Sequence, residues 1–293
     1  MRIVKRLSLL AAILPALCAC RNEPAPPSPS AATPIAAPTP EPTAPVETTF
    51  QAAGATITMT VTYPLMIGGA YEVPERQRML DYLKDGMVVV DAGAHVGYHA
   101  LPLAKATPGG KVYAIEPAGD SYGHLVANAA RNNCRNLIPL KVAVGDRAAS
   151  LSLFLDAGNT GNNSLAQANT TSPSGQTEIV PVETLDALLA HEPRIDLIKL
   201  DIQGAEFAAL RGARGILARD HPALMIEFWP LGLRSFGEDP ADLLRFLADL
   251  GYTTPTVWVI AEKQWRARTP HELFRVLQGR AFRNLWMEAD KAR

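Results

Sequence analysis

Val88-Val89-Val90-Asp91-Ala92-Gly93-Ala94-His95-Val96-Gly97 is an apolar run that ends on an acid and then turns through two glycines. Three consecutive valines show no alternation, as in a strand covered on both faces. An acid followed by spaced glycines is the mark of a ligand-binding turn at the carboxyl end of a parallel strand. A dinucleotide fingerprint would place a glycine where His95 stands, to let the backbone approach a pyrophosphate. The order of acid, then Gly93, then Gly97 suits S-adenosylmethionine better than NAD, because that ligand has no pyrophosphate and carries an amino group that Asp91 can take directly or through water.

Working outward, apolar runs predict further strands at Met87–Ala92, Lys111–Ile115, Leu137–Val144, Leu197–Leu200 and Leu224–Phe228. Helical spacing fills the gaps at Val96–Ala106, Tyr122–Asn132, Gly204–Leu217 and Pro240–Leu250. Strand and helix in turn imply right-handed crossovers and an α/β, doubly wound, mainly parallel sheet. Ahead of this core, Ala55–Thr62 alternates polar with apolar and predicts a strand, and Pro74–Lys84 predicts a helix. Leu151–Leu155 predicts an extra strand, followed by a polar loop over Asp156–Thr177 that is either a lid or a surface loop.

Several strand tips carry acids. Glu116 lies 25 residues after Asp91, the spacing at which such folds put a carboxylate on ribose hydroxyls. Asp146 follows the third strand and is either an adenine contact or a turn residue. Asp201 ends the fourth strand, and its charge there needs a partner or a ligand. Glu206 sits in the next helix's first turn, where the dipole alone favours a carboxylate. Glu227 ends the fifth strand. Asn163 and Ser164 in the polar loop are candidates for binding acceptor hydroxyls, and Glu206 and Glu227 are candidates for binding the acceptor with them. No metal-ligand spacing stands out.

The ordered set is specific. Val-Asp-x-Gly-Ala-x-x-Gly-Tyr, Ala-Ile-Glu-Pro, Ala-Val-Gly-Asp, Asn-Ser-Leu, Thr-Leu-Asp, Ile-Lys-Leu-Asp-Ile-Gln-Gly-Ala-Glu with Leu-Arg-Gly-Ala, and Ile-Glu-Phe resemble the FkbM-type methyltransferases, from about Tyr71 to Trp229. The resemblance implies a Rossmann-like class I methyltransferase fold and an S-adenosylmethionine-dependent O-methyltransferase acting on a sugar, glycan or small-molecule hydroxyl. It implies that Asp91, Gly93, Gly97 and Glu116 bind the cofactor and that Asp201 sits by the reacting centre. His95 stands where the family often has Asn and joins both the cofactor-binding and the catalytic candidates. Asp201 is the first candidate for the base, with His95 and His99 behind it.

The organisation expected is a signal peptide over 1–20, a linker over 21–48, an extension over 49–86, the methyltransferase domain over 87–257 and a C-terminal extension over 258–293. Residues 1–20 join Arg2, Lys5 and Arg6 to an apolar stretch too short to span a bilayer, and resemble a bacterial signal whose lipobox ends at Cys20. Nine of the 24 prolines fall in Arg21–Thr48, which cannot build a core. This predicts an exported lipoprotein, membrane-anchored on the periplasmic side, or a cytoplasmic protein if the signal is not genuine. Export would part the site from the compartment that makes S-adenosylmethionine, so a non-catalytic, lipid-anchored binding module stands as the alternative. An NAD oxidoreductase is disfavoured by the missing central glycine. A net charge of −1 gives no reason to expect a nucleic-acid partner. Nothing in the chain fixes an oligomeric state.

Overall fold

The computed structural model describes residues 44–277 and 282–290. Cys20, the expected signal segment and nearly all of the expected linker lie outside them. The linker's expected end at Thr48 is too late. Strand β1 (Val46–Ala52) already pairs there with β2 (Ala55–Val61), Thr48 lying opposite Met59. The hairpin is followed by α1 (Val73–Tyr82), β3 (Val88–Ala92), α2 (Ala100–Ala106), β4 (Lys111–Ile115), α3 (Gly119–Arg131), β5 (Leu137–Leu140), β6 (Ala143–Val144), β7 (Ala149–Asp156) and β8 (Pro173–Glu183). Next come α4 (Leu185–Leu188), β9 (Leu197–Leu200), α5 (Glu206–Arg211), α6 (Arg214–Asp220), β10 (Ala223–Phe228), α7 (Pro230–Ser235), α8 (Pro240–Asp249), β11 (Thr256–Val259), β12 (Gln264–Ala267), α9 (Pro270–Val276) and β13 (Arg283–Met287).

The central sheet runs β12-β11-β13-β10-β9-β3-β4-β5. Its inner pairs, from β10 through β9, β3 and β4 to β5, are parallel, and β13 enters antiparallel between β10 and β11. The fold is α/β and Rossmann-like. Val89, Val112 and Leu197 point to one core, shared with the hairpin and α2 and α3. Val90, Tyr113 and Ile198 point to the other, beneath α5, α6 and α8. That division explains the unbroken apolar runs, since both faces of each strand are covered.

Strand order reverses beside β3, so the chain leaves the carboxyl ends of β3 and β9 in opposite directions and opens a crevice there. The N-terminal hairpin packs against α3. Asn128 accepts a hydrogen bond from the Thr60 N–H at 2.8 Å and donates to its carbonyl at 2.9 Å, and Asn132 does the same for Thr58 at 3.0 and 2.7 Å. Two asparagines one turn apart thus stand in for a neighbouring strand. They carry the chain that follows the hairpin to the crevice.

Five further expectations change. The helix expected over Gly204–Leu217 is two helices, Glu206–Arg211 and Arg214–Asp220. The strand expected over Leu137–Val144 is two strands. β5 ends the central sheet with Pro139 in its edge position, and β6 then joins a separate sheet ordered β6-β8-β7. The helix expected from Val96 begins at Ala100, because His95 and Gly97 both have positive φ. The polar loop is shorter than expected, since Pro173–Thr177 belongs to β8. The boundary expected at 257 falls inside β11, so the C-terminal residues complete the central sheet rather than extend it. Among the described residues no helix is long and apolar enough to cross a membrane.

Candidate active site

A cavity of about 520 Å³ opens at the carboxyl ends of β3, β4, β9 and β10. On one wall lie Gly93, Ala94, His95 and Glu116, and on the other Asp201, Gln203, Glu227 and Trp229. Tyr63, Tyr71 and Glu72, from the segment after the hairpin, close a third side.

Gly93 has φ +80°, and a Cβ there would stand 1.8 Å from the Asp201 carbonyl oxygen. Only glycine lets the β3 turn lie against the end of β9 so closely. The N–H groups of Gly93 and Ala94 donate to the Ile115 carbonyl at 2.9 and 3.0 Å, which ties the turn to β4. Glu116, at the tip of β4, takes the His95 N–H on Oε2 and the Ala118 N–H on Oε1, each at 2.9 Å. Each oxygen keeps a second lone pair for a ligand. Burial raises its pKa to about 7 against the pull of those two N–H groups.

Asp91 does not reach the cavity. It is wholly buried, and its nearest cation is Lys199 Nζ at 3.3 Å, an ion-pair distance without hydrogen-bond alignment. Lys199 Nζ also stands 3.5 Å from Asp201. Burial alone would strip charge from this lysine, but Asp91 and Asp201 hold its pKa above the ordinary lysine value. One buried ammonium therefore links the ends of β3 and β9. Burial pushes the Asp201 carboxyl up, and Lys199 pulls it back.

His95 lines the cavity, but its Nε2 sits 2.7 Å from Thr160 and 3.3 Å from Thr62. Burial lowers its pKa to about 4. A ring so weakly basic and already bonded is suited to tying the polar loop to the hairpin, not to taking a proton. Gly97 does not touch the cavity and serves the turn, its N–H donating to the Ala94 carbonyl at 2.8 Å.

Three other sequence candidates are placed elsewhere. Ala143 and Val144 of β6 line the cavity, but Asp146, two residues further on, does not; it is exposed and paired with Arg211 at 3.1 Å. Glu206 turns back into its own loop, accepting the N–H of Ile202 at 2.9 Å and of Gly204 at 3.2 Å. Ser164 is buried and donates to the Gln203 carbonyl at 3.0 Å, fastening the polar loop to the end of β9. Asn163 does line the cavity, although its Oδ1 accepts the Asp156 N–H at 2.8 Å. Asp201 and Glu227 both line it.

The structure adds residues that the sequence reading passed over. Glu72 accepts from Asn284 at 2.9 Å and sits 2.9 Å from His99 Nε2. Gln203 donates to Asp201 at 3.2 Å and to Glu227 at 3.3 Å. Asp156 organises the polar loop by accepting the N–H groups of Gly158, Asn159, Thr171 and Ser172 at 2.6 to 2.9 Å. Burial would raise its carboxyl, but those donors hold it below the ordinary value.

A Rossmann-like domain with a glycine turn and a strand-tip carboxylate in one crevice defines a nucleotide-type binding site. Residues 91–254 match the family described as the methyltransferase FkbM domain, and the chain belongs to that family. It is 40% identical over 68 residues to the tRNA(Phe) (4-demethylwyosine(37)-C(7)) aminocarboxypropyltransferase of Methanocaldococcus jannaschii, a match covering 23% of this chain and 27% of that protein. It is 26% identical over 146 residues to Methyltransferase 1 of Beauveria bassiana, covering 44% of this chain and 59% of the relative. The chain thus spans about a quarter and under two thirds of the lengths of these two relatives. Among solved structures, methyltransferase FkbM of Methylobacillus flagellatus KT is similar at 17% identity and a TM-score of 0.46, over 74% of this chain and 59% of that one.

Proposed function

We propose that the protein is an S-adenosylmethionine-dependent methyltransferase that methylates a hydroxyl of a sugar, glycan or other small molecule. The observation that carries this reading is the pairing of Glu116 with the Gly93 turn on one wall of the cavity that Asp201 and Glu227 face from the other. The residues fit the cofactor. Glu116 keeps a free lone pair on each oxygen for the ribose diol, and Gly93 lets the turn lie against the end of β9 so that Glu116 and Asp201 border one cavity. Asp91 acts through Lys199, which fixes Asp201 next to the turn.

When bound, S-adenosylmethionine supplies an electrophilic methyl group on a good sulfonium leaving group. The chain's own task is to align the acceptor, exclude water and receive its proton. Asp201 is the base in this reading, with Lys199 favouring its ionised form and Gln203 fixing its orientation. The carboxylates Glu72, Glu116, Asp201 and Glu227 on the cavity wall argue against a nucleic-acid acceptor. The reading includes export and lipidation at Cys20, which labelling with radioactive palmitate, with and without Cys20, would test.

Calorimetry with S-adenosylmethionine, S-adenosylhomocysteine and NAD tests the assignment. Binding of both sulfur compounds and not of NAD is the expected result, and failure to bind either sulfur compound overturns it. With an acceptor in hand, Asp201→Asn is expected to lower turnover by about 100-fold or more with cofactor affinity kept. A fully active variant removes Asp201 from the mechanism, and cofactor binding without turnover on any acceptor favours a lipid-anchored binding module.

A further inference from the structure

The acceptor end of the cavity holds one carboxylate that forms no ion pair with any described residue. Three acids line this end, Glu72, Asp201 and Glu227. Glu72 is satisfied on both oxygens, by Asn284 and by His99. Asp201 has Lys199 on Oδ2 and Gln203 on Oδ1. Glu227 has only the long Gln203 contact, on Oε2. Its other oxygen bonds to no group among the described residues, yet it is absent from the fully enclosed, partnerless atoms, so it opens into the cavity. The residue as a whole is 8% exposed.

Register places this group on the acceptor side. β10 pairs with β9 and lies one strand beyond it from β3, so Glu227 is two strands away from the Gly93 turn. Aromatic rings flank the same end. Tyr71 lies edge-on to Tyr63 at 5.9 Å, and Trp229 follows Glu227 by two residues and also lines the cavity. A buried carboxylate without an ion-pair partner among the described residues, on a cavity wall that also carries aromatic side chains, suits an ammonium group, since a cation gains from both charge and ring quadrupole.

We propose, building on the methyltransferase reading, that the acceptor carries a protonated amine close to the hydroxyl that is methylated, and that Glu227 recognises it. An amino sugar or aminocyclitol has this chemistry. The facing groups are Asp201, Glu206 and Glu72, which add negative charge, and Lys199, which is held by Asp91 and Asp201. Burial, then the Asp201 charge, raises the Glu227 carboxyl well above the ordinary value, so it gives up its proton when the ammonium arrives. An anionic acceptor, such as a uronate or a sugar phosphate, finds there no free cation among the described residues, because Lys199 is held by Asp91 and Asp201.

The test uses the full chain loaded with S-adenosylhomocysteine and four matched probes: methyl glucosaminide, its N-acetyl derivative, methyl glucoside and methyl glucuronide. Titration calorimetry in two buffers of different ionisation enthalpy reads affinity and proton release together. The glucosaminide is expected to bind at least about ten-fold more tightly than the glucoside or the N-acetyl sugar and, at a pH where its amine is charged and Glu227 still carries a proton, to release that proton, with no binding of the glucuronide. In Glu227→Gln the preference and the proton release both vanish, while S-adenosylmethionine affinity stays within about two-fold. Equal binding of glucosaminide and glucoside, no binding of any probe, or preferred binding of the glucuronide overturns the proposal. So does a loss of S-adenosylmethionine affinity in Glu227→Gln, which would assign this carboxylate to the cofactor's own ammonium. If the wild-type chain binds neither sulfur compound, the methyltransferase reading fails separately, and the probes then test the amine site on the unloaded chain.

Discussion

Glu116 makes cofactor binding a function of pH, and the size of the effect follows from its surroundings. Burial lifts its pKa from 4.5 to about 7. In the folded, unliganded protein about a tenth of the molecules carry the carboxylate at pH 6 and about nine tenths at pH 8. A ribose diol donates to the ionised form, so the liganded pKa falls and a proton leaves on binding. S-adenosylmethionine affinity is therefore expected to tighten about ten-fold between pH 6 and pH 8, with proton release falling from about nine tenths of a proton at pH 6 to about a tenth at pH 8. Stability runs the opposite way. A carboxyl whose folded pKa lies above its unfolded value stabilises the fold fully below about pH 4.5 and loses that contribution as pH rises through 7, a change of about 3 kcal/mol.

Glu116→Gln keeps an acceptor oxygen but cannot ionise. It should bind about 10 to 100 times more weakly at pH 8, from the loss of charge-assisted hydrogen bonds, and show no pH slope in this window. Calorimetry from pH 6 to 8 in paired buffers reads both quantities. His95 titrates near pH 4, outside the window, and Glu206 does not line the cavity. The reasoning is refuted if wild-type affinity is flat between pH 6 and 8, or if Glu116→Gln keeps the wild-type slope.

Gly93→Ala forces a Cβ to within 1.8 Å of the Asp201 carbonyl at a backbone angle of φ +80°. It should separate the ends of β3 and β9, cost about 3 kcal/mol or more in urea unfolding, and abolish cofactor binding; a stable, binding-competent variant contradicts the close approach. Glu206→Gln removes a carboxyl raised to about 7 by burial, whose contribution to stability is lost as pH rises from about 4.5 to 7. The variant should therefore gain about 3 kcal/mol relative to wild type between pH 5 and pH 8, offset in part by its unpaired amide, and parallel pH–stability curves would count against this. Asp156→Ala leaves the N–H groups of Gly158, Asn159, Thr171 and Ser172 without their acceptor, so limited proteolysis should cut within 157–172 far faster than in wild type. Because the folded Asp156 carboxyl is held low, its contribution is present above its unfolded value and is lost as pH falls through the folded one. Wild type should show the same cleavage only in acid, and equal cutting rates at neutral pH would remove Asp156 as the loop's organiser.

The legible part of this protein is the part whose geometry is local. Lys111–Ile115 and Leu197–Leu200 form strands over the residues expected, because a run buried on both faces needs no information from elsewhere. Glu116 and Asp201 reach the cavity for a related reason: parallel register carries one strand tip to the level of the next. Asp146 fails where that inheritance breaks, since β6 pairs with β8 in another sheet. Lys199 goes unremarked within the run Leu197–Leu200 because its reason for being there, Asp91, is 108 residues earlier in the chain. The polar composition of 157–172 did not reveal that one carboxylate gathers its N–H groups. The acceptor side was hidden most deeply of all. Glu72 comes from a turn after the hairpin, at φ +43°, and is held by Asn284 of β13. β13 brings it there only by entering antiparallel beside β10, the strand that carries Glu227. The cofactor wall therefore follows from register within contiguous strand and turn segments. The acceptor wall depends on where an N-terminal turn and a C-terminal strand come to rest, so Glu72, and the pairing that satisfies it while leaving Glu227 without a cation, could be found only in the folded chain.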